Sequence, residues 1–221
     1  MKKIINSFEA VIFDADGVIF DSEKLWDIGD SMFMQKRGIS KIKDDVKVQL
    51  AGTSLIDGTT LLLKSHGLEE DVQLASLERM KIMETMYKTR INYMDGFLAF
   101  LHWIKSINLK AAVATSMNKN LFPFVDQRTG FINEFDQHVY SVSDVKHAKP
   151  APDIYLYAAN KINTDPAKCF VIEDAPNGIK AAKSAGMFCI GLASTFKPLY
   201  LKEANIVCQT FDDIKDYMLT P

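Results

Sequence analysis

Short, uninterrupted apolar runs, each too brief to make a helix, constrain this chain more than any other feature. The first is Ala10-Val11-Ile12-Phe13, closed by Asp14. Segments 111–114, 139–142, 169–172 and Phe188–Leu192 repeat its character, and Ile206–Cys208 does so more weakly. Runs that are apolar at consecutive positions suit strands buried on both faces of a parallel sheet. Between them lie stretches of helical period. In 97–107 the apolar residues Phe97, Leu98, Leu101, Ile104 and Ile107 fall close to one face, and 153–162 and 177–185 read similarly. Strand and helix in alternation imply right-handed crossovers, hence an α/β fold on a doubly wound parallel sheet.

The alternation fails over about 23–89, which is rich in Leu, Met, Lys and Glu and carries no strand pattern. Helical stretches there break near Gly38, Gly52 and Gly67. This predicts a helical cap over 21–91, inserted into a core of 1–20 and 92–221, with hinges near 17–21 and 92–96. A chain of 221 residues that is 48% hydrophobic can bury a core and carry such an insert.

A formal net charge of −2 gives no long-range attraction for nucleic acid or anionic lipid. Any phosphate must therefore be held by local groups. Cys169, Cys189 and Cys208 are odd in number, widely spaced and set in apolar runs, as expected of small buried hydrophobes in a reducing compartment. Met1-Lys2-Lys3-Ile4-Ile5 begins like an export signal, but Asn6, Ser7 and Glu9 interrupt it. No run is long enough to span a membrane. The expectation is a cytoplasmic monomer with neither nucleic-acid nor membrane partners.

In an open parallel sheet, ligands bind beyond the carboxyl ends of the strands. Asp14 and Asp16 follow the first run, Thr115 and Ser116 the second, and Glu173 and Asp174 the fourth; Lys149 follows the third after a loop. In Asp14-Ala15-Asp16-Gly17, two carboxylates can share a pocket, one as nucleophile and the other as general acid/base. The same letters also make turns and calcium loops, although the further acidic ligands of an EF-hand are missing here. Glu173 and Asp174 offer oxygen ligands to a hard cation or favour a helix start. Thr115 can meet a phosphate oxygen or cap a helix before Leu121. Lys149 sits in a proline-restricted loop beside Asp153, itself a candidate helix cap.

Taken in order, Asp-x-Asp-Gly-Val, Thr-Ser, Lys-Pro-x-Pro-Asp and Glu-Asp, each beyond a strand, closely resemble the haloacid dehalogenase superfamily. The segments 16–23, 149–155 and 172–179 carry the likeness to the branch with a helical cap after the first strand, which holds β-phosphoglucomutase and phosphoglycolate phosphatase. The resemblance implies a Rossmann-like core and a Mg2+-dependent phosphatase acting on a small phosphorylated metabolite. Asp14 would form an aspartyl-phosphate. Asp16 would protonate the leaving alcohol and then activate water. Thr115 and the Ser116 amide would hold the phosphoryl group, and Lys149 would offset its charge. Magnesium would sit on Asp14, the backbone carbonyl of Asp16 and Asp174, with Glu173 bound directly or through water. Since Asp16 is present, dehalogenation is not expected.

The alternative is a phosphomutase with the same core. The mutases' arginine for a second phosphate aligns with Leu55, and their histidine with Trp26. Beyond Thr115 the chain reads Met117-Asn118-Lys119 in place of Ser-Lys-Asn. These departures favour a phosphatase, although Lys24, Lys119 or another cap residue could substitute. Asn118 can touch substrate or start a helix; Trp26 can line the cleft or pack the cap. The histidines, His66, His102, His138 and His147, show no paired metal spacing. A third reading is a binding protein that has lost turnover.

Overall fold

The computed structural model describes residues 3–50 and 53–221, so the break expected at Gly52 lies outside the described residues. Its centre is a six-stranded parallel sheet in the order β3-β2-β1-β4-β5-β6. The strands are β1 (Ala10–Phe13), β2 (Lys110–Thr115), β3 (Val139–Ser141), β4 (Cys169–Glu173), β5 (Phe188–Leu192) and β6 (Ile206–Cys208). In β1, Val11 and Phe13 join one apolar cluster and Ala10 and Ile12 the other. Both faces of the strand are thus buried, which is why the run is apolar at every position.

On the Phe13 face lie α5 (Phe97–Ser106), α6 (Phe122–Thr129), the short α7 (Phe131–Glu134) and α10 (Phe211–Met218). Phe100 of α5 meets Phe211 of α10 with ring centroids 5.1 Å apart. The Ile12 face is covered by α8 (Asp153–Lys161) and α9 (Pro176–Ser184). Fully burying a side chain such as Phe13 or Ile154 contributes ~1.5–3 kcal/mol.

Register places the chemistry. Phe13 lies beside Val113 on one neighbour and Ile172 on the other. The next residue, Asp14, donates its N–H to the Ile172 carbonyl at 3.0 Å, so Asp14 and Glu173 leave the sheet at one edge. The chain runs outward from β1 to β3, then returns to the far side of β1 as β4. The reversal opens the crevice where ligands bind in such sheets.

Between β1 and β2 stand four cap helices: α1 (Glu23–Gln35), α2 (Asp44–Leu50), α3 (Leu55–Ser65) and α4 (Val72–Arg90). They enclose a separate apolar cluster that includes Phe33, Met34, Leu62 and Leu63. Asp71 starts α4 by accepting from the Gln73 and Leu74 amides at 2.8 and 3.0 Å. The segments entering and leaving the insert are bonded together: Asp21 N–H donates to Asn92 O at 3.1 Å, and Met94 N–H to Ile19 O at 2.8 Å.

Two expectations are corrected. The third strand stops at Ser141, because the Asp144 carboxylate accepts the Ser141 N–H at 3.0 Å and winds 142–144 into a 3-10 turn. Asp153 is the first residue of α8 rather than its cap. Its Oδ1 bonds the backbone N–H of His147 at 3.2 Å and lies 2.9 Å from the His147 ring Nδ1.

Candidate active site

Asp14 and Lys149 form the centre. Lys149 is buried, and its Nζ donates to Asp14 Oδ1 at 2.6 Å and to Glu173 Oε1 at 2.8 Å. The ammonium also sits 4.8 Å from the centroid of the Tyr155 ring. Glu173 accepts from three donors. Besides Lys149, its Oε1 accepts from Tyr155 Oη at 2.9 Å, and its Oε2 from the Ala175 N–H at 2.9 Å. Tyr155 was not foreseen, although it lies in the quoted segment 149–155; it is the first inward-facing aromatic of α8.

Two glycines make the room. A Cβ on Gly178 would lie 1.5 Å from Glu173 Oε1, so only glycine lets α9 pass over that carboxylate. A Cβ on Gly17 would lie 2.0 Å from Asp174 Oδ2, and its φ of +79° is itself left-handed.

Oxygen atoms of Asp14, Glu173 and Asp174, all buried, lie within 4.8 Å of one another. Burial pushes the Asp14 carboxyl up to about 7, with Glu173 adding to the rise and Lys149 opposing it. Asp174 is driven well above the usual carboxylate range by burial, then by Glu173 and Asp14. Burial works against the charge on Lys149, yet Asp14 and Glu173 hold its pKa above the ordinary value. Three buried carboxylates facing one ammonium leave an excess of negative charge, and all the donors are oxygens. That set fits a hard divalent cation such as Mg2+.

The Asp16 side chain stands outside this cluster and is held by the cap. Tyr87 of α4 donates its hydroxyl to Asp16 Oδ1 at 2.6 Å, and the Trp26 indole N–H of α1 reaches the same oxygen at 3.4 Å. Burial raises the Asp16 carboxyl, and hydrogen bonds from the hydroxyl of Ser22, then from Tyr87 and Trp26, lower it. Trp26 therefore lines the cleft and also packs the cap, edge-on to Tyr87 with centroids 6.3 Å apart. Tyr87, 71 residues from Asp16 in sequence, was invisible to motif reading.

The Thr115 hydroxyl oxygen accepts the Met117 N–H at 3.0 Å, closing the turn after β2. Ser116 and Asn118 line the cleft, and Asn118 also caps residues 119–121 by accepting the Asn120 N–H at 2.9 Å. The cleft encloses about 930 Å³, part of it open solvent, with Asp14, Asp16 and Asp174 on its floor. Its roof belongs to the cap. There Arg79 and Asp30 are buried and joined by two hydrogen bonds, 2.7 and 2.9 Å, and Lys47 meets Asp27 at 2.8 Å. Leu55 lines the cleft, whereas Lys24, paired with Asp21, and Lys119, paired with Asp144, do not. Glu23 of α1 also lines the roof. Its carboxyl is pushed up to about 7 by burial and by Asp27, Asp16 and Asp30, with Lys47 opposing the rise. Arg79, Glu23 and Asp30 were not singled out from sequence, although Glu23, Asp27 and Asp30 recur at helical spacing on α1.

His102 and His147 are exposed, His66 Nδ1 contacts the Leu62 carbonyl, and His138 contacts Tyr140. The three cysteines are buried and free. Among the described residues, no helix is long and apolar enough to cross a membrane.

Comparison with known proteins places this geometry. The chain is 31% identical over 198 residues to β-phosphoglucomutase of Bacillus subtilis, covering 83% of each protein. It is 29% identical over 218 residues to a (DL)-glycerol-3-phosphatase of Arabidopsis thaliana, covering 95% of this chain and 72% of the relative. Among solved structures, a family IA haloacid dehalogenase hydrolase from Entamoeba histolytica superposes with a TM-score of 0.83 at 26% identity, covering 96% of this chain and 98% of that one. A β-phosphoglucomutase from Clostridium difficile gives a TM-score of 0.79, also at 26% identity, covering 96% and 97%. A family model described as haloacid dehalogenase-like hydrolase matches residues 8–186. Carrying that match over most of its length, the chain belongs to the haloacid dehalogenase-like hydrolases.

Proposed function

We propose that this hydrolase is a Mg2+-dependent phosphatase of a small phosphorylated metabolite, a sugar phosphate or similar compound, working through an aspartyl-phosphate on Asp14. The observation that carries the reading is the buried contact of Lys149 Nζ with Asp14 Oδ1 at 2.6 Å, beside Asp174 and at the floor of a cleft that Asp16 also lines. A carboxylate approaching a phosphate dianion is repelled, and neighbouring positive charge offsets that cost. Lys149 supplies one such charge and fixes the Asp14 carboxylate. Asp14, the Asp16 backbone carbonyl and Asp174 would hold Mg2+, which when bound neutralises charge developing on the phosphoryl oxygens. Glu173 anchors Lys149 and would meet the cation directly or through water, since among the described residues its Oε2 accepts only the Ala175 N–H.

In the first step an Asp14 oxygen forms a bond to phosphorus as the bond to the alcohol oxygen breaks. Asp16, as the carboxylic acid, gives that oxygen its proton. In the second step Asp16, now the carboxylate, takes a proton from water whose oxygen attacks phosphorus, releasing phosphate and restoring Asp14. Thr115, Ser116 and Asn118 would contribute to the phosphoryl-binding rim. The mutase reading draws on the likeness to β-phosphoglucomutase, but Leu55 in the arginine position and the carboxylate-paired cations of the roof speak for hydrolysis.

The test is phosphate release from p-nitrophenyl phosphate with Mg2+. Turnover is expected from the wild type and is abolished in Asp14→Asn and by chelator. A wild-type protein that releases no phosphate under these conditions refutes the phosphatase. Net conversion of β-glucose 1-phosphate in the presence of a bisphosphate activator would instead establish the mutase.

A further inference from the structure

The three carboxylates gathered at the floor are not held alike. Lys149 bonds Asp14 and Glu173, and Tyr155 and the Ala175 amide add to Glu173, but neither of these Lys149 bonds goes to Asp174. A group that does reach Asp174 comes from the loop after β5, outside every motif read from the sequence: Thr195 donates its hydroxyl to the Asp174 carboxylate. Strand β5 runs beside β4 with Gly191 opposite Glu173, so the chain leaving β5 emerges beside the residue that follows Glu173. Both groups occupy space that a side chain at position 17 would fill. A Cβ on Gly17 would lie 2.0 Å from Asp174 Oδ2 and 2.6 Å from Thr195 Oγ1. The loop is fixed on either side of Thr195. Ser194 Oγ donates to the Gly17 carbonyl at 2.5 Å, and Phe196 is buried in the apolar cluster on the Ile12 face. Thr195 is itself β-branched, which stiffens its χ1. A carboxylate that ligates Mg2+ must meet near-octahedral geometry at about 2.0–2.1 Å. One that is free to turn about its Cβ–Cγ bond loses that freedom when the ion binds; one already held by a charge-assisted hydrogen bond does not.

The geometry points to Thr195 as a positioning residue of the cation site: its hydroxyl fixes the Asp174 carboxylate ready for the ion, with Gly17 giving the room and Ser194 the anchor. The inference rests on the Mg2+ site of the proposed function and adds to it a residue that acts through Asp174.

The test is a Mg2+ titration of the melting temperature of the full chain, with no substrate present. The rise with Mg2+ gives an apparent Kd for each protein, and the melting temperature without metal reports folding separately. Thr195→Val keeps the shape and removes the hydroxyl; Thr195→Ser keeps the hydroxyl and removes the methyl. Losing a hydrogen-bond partner of a metal ligand typically lowers metal affinity about 10–100-fold. Thr195→Val is therefore expected to raise the apparent Kd at least about tenfold, whereas Thr195→Ser should stay within about threefold of the wild type. An unchanged Kd in Thr195→Val overturns the inference. So does a Thr195→Ser that binds as weakly as Thr195→Val, because the hydroxyl would then not be what matters. Should Thr195→Val be unfolded without metal, Thr195→Ala against Thr195→Ser decides by the same criterion. A wild type whose melting temperature does not move with Mg2+ removes the cation site and the role of Thr195 together. A wild type that responds keeps the site, whatever the variants do.

Discussion

Consider replacing Gly178 with alanine. Helix propensity alone favours the change, since alanine inside a helix is about 1 kcal/mol better than glycine. The structure reverses that sign. The new Cβ would fall 1.5 Å from Glu173 Oε1 and 1.9 Å from its Cδ, so the carboxylate must leave. On a flexible exposed side chain such a move is cheap. Glu173, however, is 1% exposed and is held by Lys149, Tyr155 and the Ala175 amide. Displacing it strips a buried ammonium of one of its two carboxylates, and breaking a buried pair costs about 3–5 kcal/mol. Less the propensity gain, Gly178→Ala should lose about 2–4 kcal/mol of stability. Urea unfolding followed by circular dichroism would read this as a midpoint lowered by ~1–2 M, taking a slope near 2 kcal/mol/M. Turnover of p-nitrophenyl phosphate should fall as well, since Lys149 loses the group that fixes it against Asp14. A midpoint at or above that of the wild type would refute the reasoning, because it would mean that Glu173 is not pinned.

Tyr87→Phe removes the 2.6 Å hydrogen bond to Asp16. Its kcat should fall about tenfold or more on an alkyl phosphate, whose leaving group needs a proton, and much less on p-nitrophenyl phosphate; equal losses on both would count against a proton-handling role for Asp16. Asp30→Ala leaves Arg79 buried without its partner and should cost about 3–5 kcal/mol, read by thermal or urea unfolding; a loss below about 1 kcal/mol would show that the pair is not desolvated. In metal-free buffer, stability should decline as pH rises from about 4 to about 7. Asp14 and Glu23 both rise to about 7 in the folded chain, so the native state holds protons that the unfolded state has released, and above 7 the full penalty is present. Adding Mg2+ should raise the melting temperature and flatten that slope; a melting temperature insensitive to Mg2+ at pH 8 would contradict the cation site.

Runs such as Ala10–Phe13 announce themselves because a strand covered on both faces has no polar side to interrupt it. The same buried strands end at the crevice, so the residues after them, Asp14, Thr115 and Glu173, could be gathered from sequence into one rim. The roof could not. Arg79 and Asp30 are 49 residues apart, and their pairing depends on how α4 lies across α1. Nothing in the local pattern of either helix encodes that crossing. Tyr87 looked like one more large residue in a Leu/Met-rich helix, and only the fold turns its hydroxyl toward Asp16. Glu173 was read as a metal ligand from its position; its bonds to Lys149 and Tyr155 come from β4 and α8 packing together. Helix α10 was legible and passed over: Phe211, Ile214 and Met218 recur at helical spacing, and all three are buried.

The chain enters and leaves the insert at one narrow base, where the outgoing segment at Ile19 and Asp21 is stitched to the returning one at Asn92 and Met94. Seen from the sheet, 70 or so residues of cap amount to a single closed loop, much as a hairpin turn would. Another helical segment whose ends meet at that spacing, and which covers the core surface where Met83, Met86 and Tyr87 now pack, could be grafted there without shifting the register of β1 on β2. Preference for the alcohol can thus drift or be redesigned in the graft while Asp14, Asp174, Lys149 and their glycine clearances stay untouched beneath it, provided the graft restores the hold of Tyr87 and Trp26 on Asp16.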